Sequence, residues 1–229
     1  MTTSTMTTST HLLPNPPHRQ RLAELFQYPW KWIYTPNTGD SNDWKTNENY
    51  PLKPRVLWAR WQDAAQIIGV RFGRFTRYAL LDIGQDSQYL DVVSNLQYAL
   101  TTLGIVRTIP IRSSDSGGIH LYIPLPQQYP TFSVACALQQ CLETQGFEIA
   151  PGQLECFPNV KSYEWAFSEY NGHRLPLQPQ TGSCLLDKDL QPMGTDLALF
   201  WALWDNAVAC NAHDDISEAL SNAQANPCS

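Results

Sequence analysis

Between Arg77 and Phe157 the apolar spacing alternates between the period of a strand and the period of a helix, in an order open to few folds. Arg77 to Gly84 (RYALLDIG) is a short apolar run that reads as a strand. From Tyr89 the residues Leu90, Val93, Leu96, Leu100 and Leu103 follow at steps of three and four before Gly104, which predicts a helix. Ile105 to Arg112 (IVRTIPIR) and Ile119 to Leu125 (IHLYIPL) flank the turn Ser113-Ser114-Asp115-Ser116-Gly117-Gly118, which predicts a hairpin. Phe132 to Thr144 is a second helix through Val134, Ala135, Leu138 and Leu142, stopped by Gly146, and Gln153 to Phe157 is a further strand. The order is βαββαβ, an α+β arrangement of the ferredoxin-like kind. In it two helices cover one face of a four-stranded antiparallel sheet, and the first and third strands are central neighbours.

Strand alternation then assigns faces. Ile119, Leu121, Ile123, Leu81 and Ile83 should lie under the helices, with His120, Tyr122, Leu80 and Asp82 on the other, open face. Asp82 is near the end of the first strand and His120 near the start of the third, so an antiparallel pairing brings them to one edge. Glu155 in the fourth strand has the parity to join them.

The flanks are of different character. Residues 1–20, rich in Thr, Ser and Pro, are expected to be a disordered tail. Residues 21–69 form an aromatic-rich extension. In it Leu22–Tyr34 is dense enough to pack, Thr35–Pro54 reads as a long loop, and Val56 to Ile68 has helical spacing with Gly69 as its stop. Five of the eight tryptophans lie between Trp30 and Trp61, and packing explains them better than a base-stacking platform does. The core domain spans 70–195. Asp187 and Asp189 in LLDKDL read as a charged turn rather than a metal site. Residues 196–229 are a helix over Asp196–Ala209, its Leu197, Phe200, Trp201, Trp204 and Val208 facing the core, and then a polar tail whose last five residues, ANPCS, are expected to fray.

Composition narrows the function. The 229 residues carry a net charge of -6, which argues against coating nucleic acid by bulk charge but leaves room for a local basic groove. No apolar run approaches the roughly 18 residues that cross a bilayer, and the N-terminus lacks a basic and then apolar leader, so a cytoplasmic protein without membrane association is expected. The six cysteines contain no C-x-x-C pair and are expected to be thiols rather than zinc ligands or disulfides.

At the convergent edge, Asp82 and Glu155 are hard oxygen ligands of the kind that select Mg2+ or Mn2+, with a nucleoside triphosphate supplying further ligands. The Ser-rich, Gly-Gly turn offers hydroxyls and backbone N–H groups to a phosphate, His120 follows it directly, and Lys161 and Arg174 are candidate phosphate cations.

These residues carry a family resemblance. LLDIG with Asp82, SSDSGGIHLYIPLP with His120, QLECFPN with Glu155 and NGHRLPL with Arg174 resemble, in order and spacing over about residues 70–190, the motifs of the archaeo-eukaryotic primase superfamily. This family includes the small-subunit-type primases and primase-polymerases found on plasmids and other mobile elements. The resemblance implies an RRM-like catalytic core and a template-dependent nucleotidyltransferase, a DNA primase or primase-polymerase. In it Asp82 and Glu155 would hold metal, His120 would act in catalysis and on the nucleotide, and Ser114, Ser116, Gly117, Lys161 and Arg174 would contact the triphosphate. A single-stranded DNA or RNA template and a helicase or other replication protein are the implied partners. One position departs from the pattern: the family's first motif is usually Asp-x-Asp or Asp-x-Glu, and here the second carboxylate is replaced by Gly84, with Asp86 the nearest substitute. A primase-like domain that binds single-stranded nucleic acid or nucleotide without chemistry is therefore the alternative. An interaction domain with the fold alone is the third reading.

Overall fold

The computed structural model describes residues 16–26, 30–38, 43–84, 89–161 and 169–225. Helices are α1 (Pro16–Leu25), α2 (Pro54–Trp61), α3 (Tyr89–Leu100), α4 (Thr131–Thr144), α5 (Leu197–Cys210) and α6 (His213–Ala225). Strands are β1 (Ile33–Pro36), β2 (Lys45–Thr46), β3 (Gln66–Val70), β4 (Phe75–Ile83), β5 (Ile109–Arg112), β6 (Ile119–Pro130), β7 (Leu154–Phe157), β8 (His173–Arg174), β9 (Cys184–Leu186) and β10 (Pro192–Gly194). They build two antiparallel sheets, ordered β2-β1-β3-β8 and β10-β9-β5-β6-β4-β7.

The expected βαββαβ unit is the run β4-α3-β5-β6-α4-β7. Its strands lie in the order β5-β6-β4-β7, so the first and third strands are indeed the central pair. Two helix ends show local reasons for where they fall. α3 tightens into a 3-10 turn at Thr101–Leu103 and ends at Gly104, whose φ of 74° is costly for a residue with a Cβ, while the Ile105 N–H donates back to the Leu100 carbonyl. α5 begins at Asp196, whose carboxylate accepts the Ala198 N–H at 2.9 Å.

Alternation along the strands separates two cores. Ala79, Leu81, Ile83, Ile119, Leu121 and Ile123 pack beneath α3, α4 and α6, as parity predicts. Tyr78, Leu80, Ile111 and Tyr122 point the other way, and there the structure differs from expectation. That face is not open: it is buried against Trp32, Trp58, Trp61 and Ile68 of the N-terminal region and Phe200, Trp201 and Trp204 of α5. A large apolar side chain gains about 1.5–3 kcal/mol on full burial, so an aromatic set of this size strongly favours a closed second layer. Of the five tryptophans between Trp30 and Trp61, the packing reading holds for Trp32, Trp58 and Trp61, whereas Trp30 is exposed and Trp44 is only partly buried.

Several flanking expectations need correction. Residues 16–20, assigned to the tail, open α1, and residues 1–15 lie outside the described residues. The helix expected over Val56–Ile68 ends at Trp61; Ile67, Ile68 and Gly69 belong to β3, where apolar residues are buried on both sides and helix and strand periods cannot be told apart. The loop expected at Thr35–Pro54 contains the end of β1 and all of β2. The polar tail expected beyond Asn211 instead contains α6, which inserts Ile216, Leu220 and Ala223 into the helical core, and residues 226–229, where fraying is expected, lie outside the described residues. Asn211 itself, 4% exposed, accepts the N–H groups of Val106 and Arg107 and donates to the carbonyls of Arg107 and Pro124. Asp187 does form a turn: its carboxylate accepts the N–H groups of Asp189 and Gln191. Among the described residues no helix is long and apolar enough to cross a membrane.

Candidate functional site

Where the two sheets meet, the second layer stops short and leaves a cleft of about 630 Å³ over one end of the central sheet. Register fixes its floor. Asp82 of β4 is paired with His120 of β6 on one side and with Glu155 of β7 on the other. The hairpin turn supplies Ser113, Ser116 and Gly118, and β8 with its approach supplies Asn171, Gly172, His173 and Arg174. Trp44 and Thr46, around β2, and Arg71, just after β3, form the facing wall.

The convergence expected of Asp82, His120 and Glu155 is thus present, with Ser116 and Arg174 beside them. Ser114, Gly117 and Lys161 do not line the cleft. The Ser114 hydroxyl is 2.7 Å from that of Ser116, Gly117 takes the positive φ of 91° that the turn requires, and the Lys161 ammonium sits 3.8 Å from the centre of the Tyr170 ring. Asp86 lies outside the described residues.

The electrostatics begin with a pair. His120 Nε2 is 3.4 Å from Asp82 Oδ2, and His120 is almost wholly buried while the Asp82 side chain keeps about a third of its surface (35%). Burial alone would push the Asp82 carboxyl up, but His120, with Arg174 and His173 further off, outweighs it and holds the carboxyl below its ordinary value. Burial also lowers Arg174, opposed by Asp82 and Tyr122. Arg174 Nη1 is buried with no hydrogen-bond partner, and its guanidinium carbon lies 5.5 Å from the Trp44 ring centre. An unpartnered guanidinium N–H on the wall of a polar cleft is a donor suited to an anion.

Sequence reasoning missed His173, although it stands next to Arg174 in the motif that was read. Its Nε2 is 3.0 Å from the Tyr78 hydroxyl, its ring stacks on Phe72 at 4.8 Å, and Nδ1 is buried without a partner. Burial, with His120 nearby, pushes it down to about 3, so it is neutral at neutral pH. The other missed residue is Arg71, which donates to the carbonyls of Lys31 and Tyr170 and to the Thr46 hydroxyl and so pins the wall. Nothing in the local sequence signals that role, since all its partners are distant in the chain or on irregular backbone.

Whether a divalent ion fits can be judged from the oxygens. Magnesium is commonly held by one or two carboxylates together with phosphate oxygens, and Asp82 with Glu155 supplies such a pair. The Glu155 carboxylate is anchored by the Gly152 N–H at 3.0 Å. A second ion of a two-ion site would need a further carboxylate. Position 84 cannot supply it as the backbone stands: a Cβ there would run into the carbonyl of Gly152, and the Gly84 N–H donates to the Gln153 carbonyl at 2.7 Å. Among the described residues no three His, Cys, Asp or Glu side chains group into a metal site. The residues described therefore fit one ion carried with a polyphosphate and do not fit two.

No protein-family model matches the chain. No curated protein matches it either. Among solved structures, the polymerase domain of ligase D from Mycobacterium tuberculosis, in complex with DNA, overlaps it with a TM-score of 0.38 and 17% identity, over 88% of this chain and 73% of that one.

Proposed function

We propose that the protein is a primase-type nucleotidyltransferase domain whose cleft takes a nucleoside triphosphate, with Mg2+ or Mn2+, beside a single-stranded template. The observation that carries this reading is the shared register of Asp82, His120 and Glu155 beneath a hydroxyl-bearing Gly-Gly turn and an unpartnered arginine. In this reading Arg174, Ser116 and His120 hold phosphate oxygens, Asp82 and Glu155 face the ion, and the Trp44 side of the wall limits where the nucleotide can lie. An ion held there would neutralise charge on the polyphosphate and favour ionisation of an attacking hydroxyl. Asp82, kept ionised by its neighbours, is ready to serve as a ligand at neutral pH.

The lack of room at Gly84 supports a second reading, in which the domain binds nucleotide or single strand without chemistry. One experiment separates them: incorporation of labelled dNTPs and NTPs on a single-stranded template, with Mn2+ and with Mg2+, with and without a primer, for wild type and Asp82→Ala. Incorporation lost in the variant is the expected result. Template and triphosphate binding with no incorporation under either metal would leave only the second reading standing.

A further inference from the structure

Residues 71–77 read Arg-Phe-Gly-Arg-Phe-Thr-Arg, with arginine at every third position and phenylalanine after the first two. They form the β3–β4 connection and the start of β4. Arg71 is engaged in pinning the cleft wall, and Glu169 lies 3.7 Å from it. Arg74 and Arg77 are different. Both are exposed, and among the described residues neither has a carboxylate partner. Between them Phe75 is 46% exposed, with the Arg74 guanidinium carbon 5.4 Å from its ring centre.

The ladder between β4 and β6 is interrupted at this edge. Thr76 pairs with Tyr129 and Tyr78 with Pro124, so residues 125–128 lie opposite Arg77 alone, with Leu125 buried and Gln127 and Gln128 exposed. Two hollows flank the edge. One of about 150 Å³ is lined by Arg71, Phe75, Arg77 and Gln128, and one of about 560 Å³ by Arg77, Gln127, Gln128 and Arg21. Arg71 also lines the Asp82 cleft, and Arg77 is common to the two hollows, so each depression shares a wall residue with the next.

We propose that this edge is a path for single-stranded nucleic acid leaving the Asp82 cleft, with phosphates on Arg74 and Arg77, a base against Phe75, and the Gln127 and Gln128 amides beside it. The inference rests on the single-strand part of the proposed function and does not require catalysis. Exposed arginines interleaved with a bare aromatic ring suit a ligand that alternates phosphates and flat bases. An acidic peptide would use the arginines and give Phe75 nothing to do. The overall acidity of the chain makes the cluster local rather than a consequence of bulk charge. Glu24 lines both hollows and opposes an anionic ligand, while Arg21 is paired with Asp205.

The test is fluorescence anisotropy with oligo-dT of two lengths, short enough to fill only the cleft and long enough to leave it, in rising NaCl, alongside titration with a fluorescent nucleoside triphosphate. Arg74→Ala/Arg77→Ala is expected to weaken the long oligonucleotide at least about tenfold and to reduce the slope of log K against log salt by about 1.4, the share of two phosphates on a single strand. The short oligonucleotide and the triphosphate should bind as before. Phe75→Ala should cost about fivefold or more with the slope unchanged, and Glu24→Gln should tighten binding. Equal loss for both lengths, an unchanged slope, or competition by poly-glutamate as strong as by oligo-dT would overturn the path. Triphosphate binding without any single-strand binding would overturn it while leaving the nucleotide site intact. Loss of triphosphate binding in Asp82→Ala with the long oligonucleotide still held, and still weakened by Arg74→Ala/Arg77→Ala, is the result expected of a path distinct from the nucleotide site.

Discussion

Asp82 and His120 stand directly opposite each other across β4 and β6, with carboxylate oxygen and imidazole nitrogen 3.4 Å apart. A half-open carboxylate against a buried imidazole adds little to stability, because solvent screens part of the attraction.

Asp82→Asn should therefore cost no more than about 1 kcal/mol in urea unfolding at pH 7 while abolishing incorporation. The sign of its pH dependence is fixed by the lowered carboxyl: the stability it contributes is present above the ordinary carboxylate range and disappears as pH falls through the lowered value. Wild type and Asp82→Asn should converge in urea midpoint in acid below that range. A gap that persists or widens there would count against the ionised carboxylate as the source.

His173 gives a second pH signature at higher pH. Its neutral form is the folded one, with a value pushed down to about 3 against 6.5 in the unfolded chain, so stability is full above 6.5 and declines as pH drops from there toward 3. Between pH 7.5 and 5 this amounts to about 2 kcal/mol for one group. His173→Gln, measured by urea unfolding at the two pH values, should remove most of that difference. An unchanged difference would place the pH dependence elsewhere.

Gly84→Asp restores the Asp-x-Asp spacing but not the space. The added Cβ meets the Gly152 carbonyl, which is main chain rather than the far end of a flexible side chain. Such overpacking typically costs about 1–3 kcal/mol. The expected result is a less stable protein with no gain in Mn2+ stoichiometry by electron paramagnetic resonance in the presence of a non-hydrolysable triphosphate. Two bound ions in a variant of undiminished stability would refute this.

Ile216→Ala should lower stability by about 2–4 kcal/mol in denaturant unfolding, because α6 closes the helical core and Ile216 is 3% exposed within it. A loss under 0.5 kcal/mol would mean that α6 is loosely held.

The βαββαβ order, the strand parity and the meeting of Asp82, His120 and Glu155 were legible in the sequence, because alternation and helical periods are local signals and the register follows from topology. The second layer was not. Leu80, Ile111 and Tyr122 have the parity of an exposed face, and only partners far along the chain, from Trp32 to Trp204, reveal that it is covered. α6 was missed because its apolar stripe is just Ile216, Leu220 and Ala223 among polar residues. Gly84 could be seen as a missing carboxylate, but the reason that no side chain fits lies across the sheet in Gly152.

The close approach at Gly84 has counterparts around the same cleft. A Cβ at Gly69 would strike the backbone of His173, and one at Gly172 would press on the Ile33 side chain. These glycines are spacers of zero width rather than hinges, and two of the three abut main chain that cannot swing aside. The mouth beside them should then behave as a mould with a fixed aperture, choosing among ligands by size exclusion and not by adjusting its walls. Structures with and without nucleotide would then share one rim, and any breadth in what the protein accepts would have to come from the ligand's flexibility.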